Sequence, residues 1–586
     1  MSDAGCSSIT VPEGFTLHTE NTSHILISSK EEAFLNPVQE FNRDLSVACI
    51  RVWSEELNRE KETKWKQAQE RRAKREAGGE AKTGQAKEQK KAKSEHLSIG
   101  PEDDLPGETP ATESTSEGSK REAVYRPHKF VLLEALSATG LRSIRYAKEI
   151  PLVRFVIAND LSASATAAMK RNVELNGLGP SSPDPAVSTS SSAASEHQPF
   201  PDRGKVRINE GDACALMYNH RTEKTRVDVV DLDPYGTAAP FIDGAVQCVN
   251  DGGLLCVTCT DLSVLATTNY HEKCFSNYGG IPLKAEYCHE AALRLVLNTL
   301  STSAGRYGRY IEPLLCLSID FYVRLFVRVH SAPIEVKKTA RQVGLSMYYI
   351  CQGCQSFYEQ PLGRIVEKAN ERTGNVNLQF KTQAGPPVPQ KCTECGSALH
   401  VAGPMWSGPL HNNSFISKVL GHLESNQDRY STAVRMKGML TVANEELHVP
   451  FYFTPSRIAG FFHSVCPPLD DVASALLNAG HIVSRSHALP GSLKTGATRQ
   501  DVHDIFRSWV KTHPVRMDKV SETALARQLL AKEARQVPAN FTRHPRSVTQ
   551  ASKVKLVRYQ QNPTPNWGPG TKAGSGTKRK REEENE

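Results

Sequence analysis

The 586-residue chain has no apolar run long enough to cross a membrane. A span needs about 20 predominantly apolar residues, and the best stretch, Leu314 to Val329, is broken by Asp320, Arg324 and Arg328. Cysteine is sparse at 14 residues, which excludes a disulfide scaffold and leaves thiols for cores or metal sites. The first twenty residues contain no Lys or Arg and carry Asp3, Glu13 and Glu20. That is the reverse of a secretory or mitochondrial leader, so an intracellular protein is expected. Hydrophobic residues at 39% and aromatics at 7% supply at least one large core, yet a mean hydropathy of -0.44 places part of the length outside any fold. The net charge of +8, from 72 basic and 64 acidic residues, favours polyanions only where it clusters.

Three segments lack core material. From Arg59 to Lys93 there are 13 Lys/Arg against 6 Glu, followed by the acidic, Pro- and Ser-bearing stretch Pro101 to Gly118. This insert reads as a solvated helix fading into disorder. The run from Pro180 to Pro201 is a Ser-rich loop, and the tail from Pro569 has no apolar anchor. Between these segments short apolar runs alternate with helical patterns, which predicts βαβ units and a mostly parallel sheet. Strands are expected at Phe130–Leu133, Phe155–Ala158, Lys205–Ile208, Val227–Asp231 and Gly253–Thr258, with helices from Gly140, Ser162, Phe241 and Tyr287. From Ile319 to His330 the alternation predicts one half-buried strand, with Arg324 and Arg328 on its wet face.

The first strand runs into Ser137-Ala-Thr-Gly140-Leu-Arg142, small residues opening a helix. Free N–H groups there suit negative charge and close ligand approach, although a plain strand-to-helix turn needs small residues too. The second strand ends at Asp160, twenty residues beyond Gly140, and the third at Gly211-Asp212-Ala213. Strand carboxyl ends form the ligand crevice of open α/β sheets, and acids there bridge ribose hydroxyls. Two acids without a GxGxxG loop point to a nucleoside lacking a pyrophosphate, S-adenosylmethionine rather than NAD. The fourth strand delivers Asp233-Pro234-Tyr235-Gly236 to the same rim. An exocyclic amine is a poor nucleophile because its lone pair is delocalised into the ring. A carboxylate (Asp233) and the adjacent carbonyl (Pro234) can take its two hydrogens, while Tyr235 stacks on the base. The bland alternative is an ordinary Asp-Pro turn. Asp261 closes the fifth strand and is either a pocket or a solvated acid.

Cys351-Gln-Gly-Cys354 and Cys392-Thr-Glu-Cys395 are two knuckles separated by 37 residues, and predict a closed, structural zinc site. Cys256-Val-Thr-Cys259 has the same spelling within a strand, where positions three apart face opposite ways, so it should not chelate. Further on, Thr454 to Arg457, Leu469 to Ala479 and His481 to Thr495 read helix, helix, strand. This is either a winged-helix-like grip on phosphates or a small α+β packing unit. The interleaved basic and aromatic residues from Lys553 to Trp567 suit RNA or docking onto the body.

Together, Phe34-Leu-Asn-Pro37 with Asn42-Arg43-Asp44, EALSATGLRSIRYAKEI, ANDL, DLDPYGT, TCTDLSVLA, SIDFYVRLFVRV, the paired knuckles, AGPMWSGPLH and VRYQQNPTPNWGP resemble the tRNA (guanine-26) N2-dimethyltransferases, from about Phe34 to Pro569. The resemblance implies a class I, Rossmann-like α/β methyltransferase sheet, followed by a zinc-containing α+β C-terminal domain, and tRNA as partner without membrane contact. It assigns S-adenosylmethionine binding to Arg43, Ser137, Gly140, Arg142, Asp160, Asp212 and Ala213, catalysis to Asp233 with Pro234, and base stacking to Phe34 and Tyr235. The expected organisation is 1–54 packing on the methyltransferase domain, 55–125 a charged insert, 126–344 the methyltransferase domain with a flexible loop at 180–203, 345–568 a zinc-containing tRNA-binding domain, and 569–586 a disordered tail. Lys578, Arg579, Lys580 and Arg581 suit nuclear import, with cytoplasmic or mitochondrial pools also open. The competing readings are an amino-methyltransferase acting on adenine in DNA or another RNA, and a non-catalytic zinc-containing RNA-binding protein. Oligomeric state is not specified.

Overall fold

In the computed structural model, residues 9–28, 35–80, 124–180, 203–333, 335–336, 344–369, 372, 374, 376–534 and 538–553 are described. Phe34, most of the Ser-rich loop, the acidic stretch from Pro101, the Lys555 to Trp567 segment and Lys578 to Arg581 lie outside them. A hairpin of β1 (Phe15–Glu20) and β2 (Ser23–Ser28) leads to helix α1 (Glu40–Glu80). Up to Trp53 this helix buries Phe41, Leu45, Ile50 and Trp53, whose ring meets Phe130 edge-on at 5.5 Å. Beyond Ser54 it is charged and largely exposed, as the insert's composition predicts.

The chain packs as two compact units, Ser54–Lys129 and the remainder. Within the smaller unit, Asn58 Oδ1 accepts from the His128 backbone N–H at 2.7 Å, and Trp65 lies 5.9 Å from Tyr125.

The larger unit is built on a seven-stranded sheet. Its strands are β3 (Phe130–Glu134), β4 (Val153–Asp160), β5 (Val206–Glu210), β6 (Val227–Leu232), β7 (Val249–Cys259), β8 (Arg309–Ile319) and β9 (Tyr322–Ser331), ordered β5-β4-β3-β6-β7-β9-β8. β3 to β7 are parallel, while β9 runs antiparallel to both β7 and β8. All five strands expected from the sequence are present. The crossovers are α2 (Leu141–Glu149), α3 (Ala163–Leu175), α4 (Ala213–Asn219) and α5 (Ala239–Cys248); α6 (Leu262–Leu265), α7 (His271–Tyr278) and α8 (Cys288–Gly305) follow β7. Strand order reverses direction between β3 and β6, the switch point where an open sheet leaves a crevice at its carboxyl edge.

The single half-buried strand expected from Ile319 to His330 is corrected. Ile319 ends β8, Asp320 turns with a left-handed φ of 42°, Phe321 is half exposed, and β9 begins at Tyr322. Both faces of β9 are buried, because Arg324, read as solvent-facing, is fully enclosed against Asp231 of β6.

Beyond Gly344, β10 (Leu345–Cys351), β11 (Phe357–Pro361) and β14 (Leu399–Trp406) make a three-stranded antiparallel sheet, and β12 (Gly363–Ala369) pairs with β13 (Val376–Thr382). One apolar core crosses the expected division at 344/345, since Ala291, Leu295 and Val323 share it with Tyr348, Met405 and Phe451. Tyr287 stacks on Phe451 at 4.4 Å. Helices follow at Asn413–Ser425, Ala433–Glu445, Pro455–Phe462, Leu469–Asn478 and Arg499–Thr512, around the short pair β15 (Val483–Arg485) and β16 (Leu493–Thr495).

Two basic residues of that pair and its loop are withheld from phosphate. Lys494 is buried between Glu290 at 3.2 Å and Glu446 at 3.0 Å, and His487 is buried against Glu446 at 2.6 Å. A buried ammonium is stable only where carboxylates replace its hydration. These residues are the polar lock of the packing unit.

Candidate active site

The carboxyl ends of β3, β4, β5, β6 and β7 bring the expected rim residues together. After β3 the chain turns tightly: Ser137 N–H donates to the Asn159 carbonyl at 2.7 Å, and Ala138 and Gly140 both take left-handed backbone, with φ of 45° and 78°. At Gly140 a side chain is excluded twice, by φ and by Met169 Cγ, which lies 2.7 Å from where a Cβ would stand. Gly140→Ala is therefore expected to cost about 1–3 kcal/mol. Denaturant melts alongside S-adenosylmethionine titration would register both effects, and an unchanged midpoint would show that the turn tolerates a side chain.

Asp160, half-buried at the end of β4, ties the turn down: its carboxylate accepts from the Ala138 N–H and the Ser162 N–H, both at 2.9 Å. Asp212 is exposed and caps α4, accepting from Ala215 N–H at 2.7 Å, with Ala213 buried behind it. Asp233 follows β6. One of its oxygens, Oδ2, pairs with Arg142; the other, Oδ1, is buried with no hydrogen-bond partner. Pro234 is buried, whereas the Tyr235 side chain beside it is 91% exposed. The turn is fastened to β7, because Gly236 N–H donates to Thr260 Oγ1 at 2.8 Å and Thr260 N–H donates to the Gly236 carbonyl at 2.9 Å. Asp261 faces inward, accepting from the Tyr278 hydroxyl at 2.8 Å, and burial raises its pKa.

Beneath this rim lies a buried charge network that sequence patterns did not show. Arg142 NH1 stands 3.7 Å from Asp231 and 3.2 Å from Ser46 Oγ; its Nε is 3.8 Å from Glu134. Arg324 donates to Asp231 at 2.8 Å, to Thr258 Oγ1 at 2.9 Å and to the same Ser46 hydroxyl at 2.8 Å. Tyr146 donates its hydroxyl to Asp231. Burial alone would raise Asp231, but Arg324 and Arg142 outweigh it and hold the carboxyl below its ordinary range. Burial prevails at Glu134, pushed up to about 8 and shared by the Ser137 and Ser143 hydroxyls. The partners come from α1, α2, β3, β6, β7 and β9. Only Glu134, Arg142 and Arg145 set among the small and apolar residues of EALSATGLRSIR hinted at such a network.

Arg43 lies away from these contacts. Its guanidinium is committed to Glu20, with Nε at 2.7 Å, and to the Asn36 carbonyl at 3.2 Å. Burial pushes Glu20 up, yet His18, Arg43 and Arg145 together bring it down to about 2. Asp160, Asp212, the Ser137 to Gly140 turn and Asp233 thus stand on one edge with Arg142, while the Arg43 side chain is held at the β1–β2 hairpin.

A second site is formed by Cys351, Cys354, Cys392 and Cys395. Their sulfur atoms all lie within 4.8 Å of one another, and all four residues are buried. Cys351 Sγ is 3.3 Å from Cys395 Sγ and Cys354 Sγ 3.7 Å from Cys392 Sγ, with no disulfide between them. A tetrahedral ion with Zn–S of about 2.3 Å needs sulfur–sulfur edges of roughly 3.8 Å. Each knuckle is closed by a left-handed residue, Gln355 or Gly396, that turns its thiols inward. The cluster can hold zinc, with no open position for chemistry. Cys256 and Cys259 stay apart from it, buried in β7.

His411, Glu446 and His487 also converge. The backbone N–H groups of Cys316 and Ser318 donate to His411 Nδ1 and His487 Nε2, so each ring carries its proton on the nitrogen facing Glu446. Lys494 occupies the other side of that carboxylate. A cation would find protons where it needs lone pairs, and this cluster is structural.

Comparison with known proteins follows the same lines. The tRNA (guanine(26)-N(2))-dimethyltransferase of Schizosaccharomyces pombe is 41% identical over 569 residues, covering 95% of this chain and 93% of its own. The mouse protein of the same name is 40% identical, covering 96% of this chain and 77% of its own. A mitochondrial form from Saccharomyces cerevisiae is 39% identical, covering 95% and 92%. A solved structure of Trm1 from Pyrococcus horikoshii in complex with S-adenosyl-L-methionine has the same fold, with a TM-score of 0.56 at 22% identity, over 85% of this chain and 99% of that one. The family model for N2,N2-dimethylguanosine tRNA methyltransferases matches residues 14–507. Sheet order, crevice and relatives agree, and this chain belongs to the N2,N2-dimethylguanosine tRNA methyltransferase family.

Proposed function

We infer that this chain is a tRNA (guanine(26)-N2)-dimethyltransferase, placing two methyl groups from S-adenosylmethionine on the exocyclic amine of guanine 26. Family membership supports the reaction, and one observation carries the mechanism: the unpartnered, buried Oδ1 of Asp233 beside an exposed aromatic ring. An acceptor left bare in a buried position costs stability unless a ligand supplies its donor.

The rim suits the cofactor by its chemistry, since it offers carboxylates for ribose hydroxyls and a side-chain-free turn at Gly140. Ser137, Gly140, Asp160, Asp212 and Ala213 are assigned to hold it. Arg43 and Arg142 complete that set; binding would require each to share its present partner, Glu20 or Asp233. When bound, S-adenosylmethionine supplies a methyl carbon whose bond to a positively charged sulfur breaks as an amine nitrogen attacks.

The protein's part is alignment. Guanine must leave its stack, at a cost of a few kcal/mol. Stacking on Tyr235 and Phe34 returns roughly 1–3 kcal/mol per aromatic contact. Asp233 Oδ1 accepts one amine hydrogen and the Pro234 carbonyl the other, which turns the nitrogen lone pair toward the methyl. Arg142 keeps Oδ2 occupied, so Oδ1 is the oxygen presented to substrate. Each transfer also releases one amine proton, for which Asp233 is the acceptor; after the first, one N–H remains and a single acceptor suffices to orient the second. The four-cysteine cluster would hold zinc as a structural ion.

Incubating purified protein with tRNA and S-adenosylmethionine, then analysing nucleosides by mass spectrometry, should yield N2,N2-dimethylguanosine. Methyl found instead on adenine, or on DNA, would overturn the assignment. Nuclear import through Lys578 to Arg581 is proposed from the basic cluster, and the mitochondrial yeast relative makes a mitochondrial pool a second proposal.

A further inference from the structure

The 37 residues between the two cysteine knuckles have no role in the reaction as described. Part of this spacer is the β12–β13 hairpin, whose strands pair only with each other among the described residues. Register fixes its two faces. Arg364 lies directly opposite Lys381, Val366 opposite Gln379, and Lys368 opposite Asn377; Ile365, Glu367, Leu378 and Phe380 belong to the other side. The first face thus carries three cations, all exposed, two neutral amides and no carboxylate.

Folding does not account for this arrangement. Like charges directly across a strand pair are destabilising, and an acid at any of these six positions would relieve the repulsion. The hairpin's one carboxylate in these registered pairs, Glu367, is on the wrong face to do so. A row of cations with amide donors between them is complementary to a polyanion. Arg364 and Lys368 are four residues apart, about 13 Å along the strand, enough to meet separate phosphates. The hairpin springs from the far end of β11, where Pro361 pairs with Ser346, about 17 Å along β10 from Cys351; the spacer that carries it leaves Cys354 through β11 and returns past the exposed Lys391 to Cys392. Four sulfurs on one ion would fix both ends of the excursion.

We propose that the Arg364, Lys368 and Lys381 face of this hairpin contacts the phosphate backbone of tRNA outside the catalytic crevice, and that the four-cysteine cluster anchors the arm. The inference rests on tRNA being the substrate and says which surface grips it.

The test uses the full-length, zinc-loaded protein with Arg364→Ala, Lys368→Ala and Lys381→Ala combined. Affinity for unmodified tRNA is measured from 50 to 300 mM KCl, with kcat, S-adenosylmethionine affinity and melting temperature alongside. The expected result is tRNA binding weakened about tenfold or more, and a slope of log affinity against log salt shallower by about 2–3, one per lost phosphate contact. kcat at saturating tRNA, cofactor affinity and melting temperature should match the parent. A companion variant that keeps charge, Arg364→Lys with Lys368→Arg and Lys381→Arg, should bind like the parent. Unchanged affinity and slope in the alanine variant would overturn the proposal and leave the face to a protein partner or solvent. Equal loss in both variants would also overturn it, because charge would not be the cause. Failure of the parent itself to methylate tRNA would instead strike the function proposed above.

Discussion

Asp233→Asn is expected to reduce methyl transfer at least a thousandfold while leaving affinity for S-adenosylmethionine within about threefold. Removing a positioned acceptor or proton-transfer group typically costs 10²–10⁴ in rate, and the surroundings here push the value upward. Arg142 holds Oδ2, so an amide at position 233 must turn its oxygen toward the guanidinium. The amide nitrogen then takes the place of Oδ1, presenting hydrogens to an amine that also presents hydrogens. Asparagine should thus be no better than alanine, although its shape is that of the parent. The loss should fall on kcat in single-turnover experiments, with tRNA affinity nearly unchanged, because base stacking and backbone contacts are untouched. A variant retaining more than about a tenth of parental turnover would remove the carboxylate from the mechanism.

The second large effect is expected at the four-cysteine cluster. Cys392→Ser should lower the zinc content from one ion per chain toward none and bring down the melting temperature. Zinc binding by four thiolates supplies on the order of 10–16 kcal/mol toward ordering a small domain. The four cysteines are part of the apolar cluster that contains Phe453, Ile458, Phe462, Val502 and Phe506. Glu394, inside the second knuckle, ties that cluster to the helix Arg499–Thr512 through Arg507 at 2.9 Å and His503 at 3.0 Å. Loss of the ion would leave buried thiols without a partner and free the Glu394 loop from its helix. Chelation of the parent protein should reproduce the effect. Unchanged metal stoichiometry in the serine variant would refute the assignment.

How far the sequence could be read depended on the range of each signal. The parallel strands β3 to β7 were legible because each is a short apolar run bounded by turn residues, and an apolar run reports its own burial. The Asp233-Pro234-Tyr235 turn and the two knuckles were legible because their chemistry sits within four consecutive residues. The error at β8 and β9 has an equally specific cause. Arg324 looks like a solvent-facing residue in any local window, and nothing near it in sequence reveals that Asp231, Thr258 and Ser46 await it. Local sequence is equally silent on the carboxylates Glu290 and Glu446 that enclose Lys494, and on Glu20, which reaches Arg43 from a separate hairpin.

Residue order alone therefore determined the kind of sheet, the edge on which the acids gather, the four cysteines that converge and the family. Tertiary structure alone decided which charges are spent inside the protein and which are left to meet a ligand. The physical reason is that a buried charge must be matched by a group brought from elsewhere in the chain, and such matching has no period and no local spelling. One oxygen of Asp233 is neutralised by Arg142 and the other is left bare, a difference that exists only once the fold carries the Arg142 guanidinium from α2 to the end of β6.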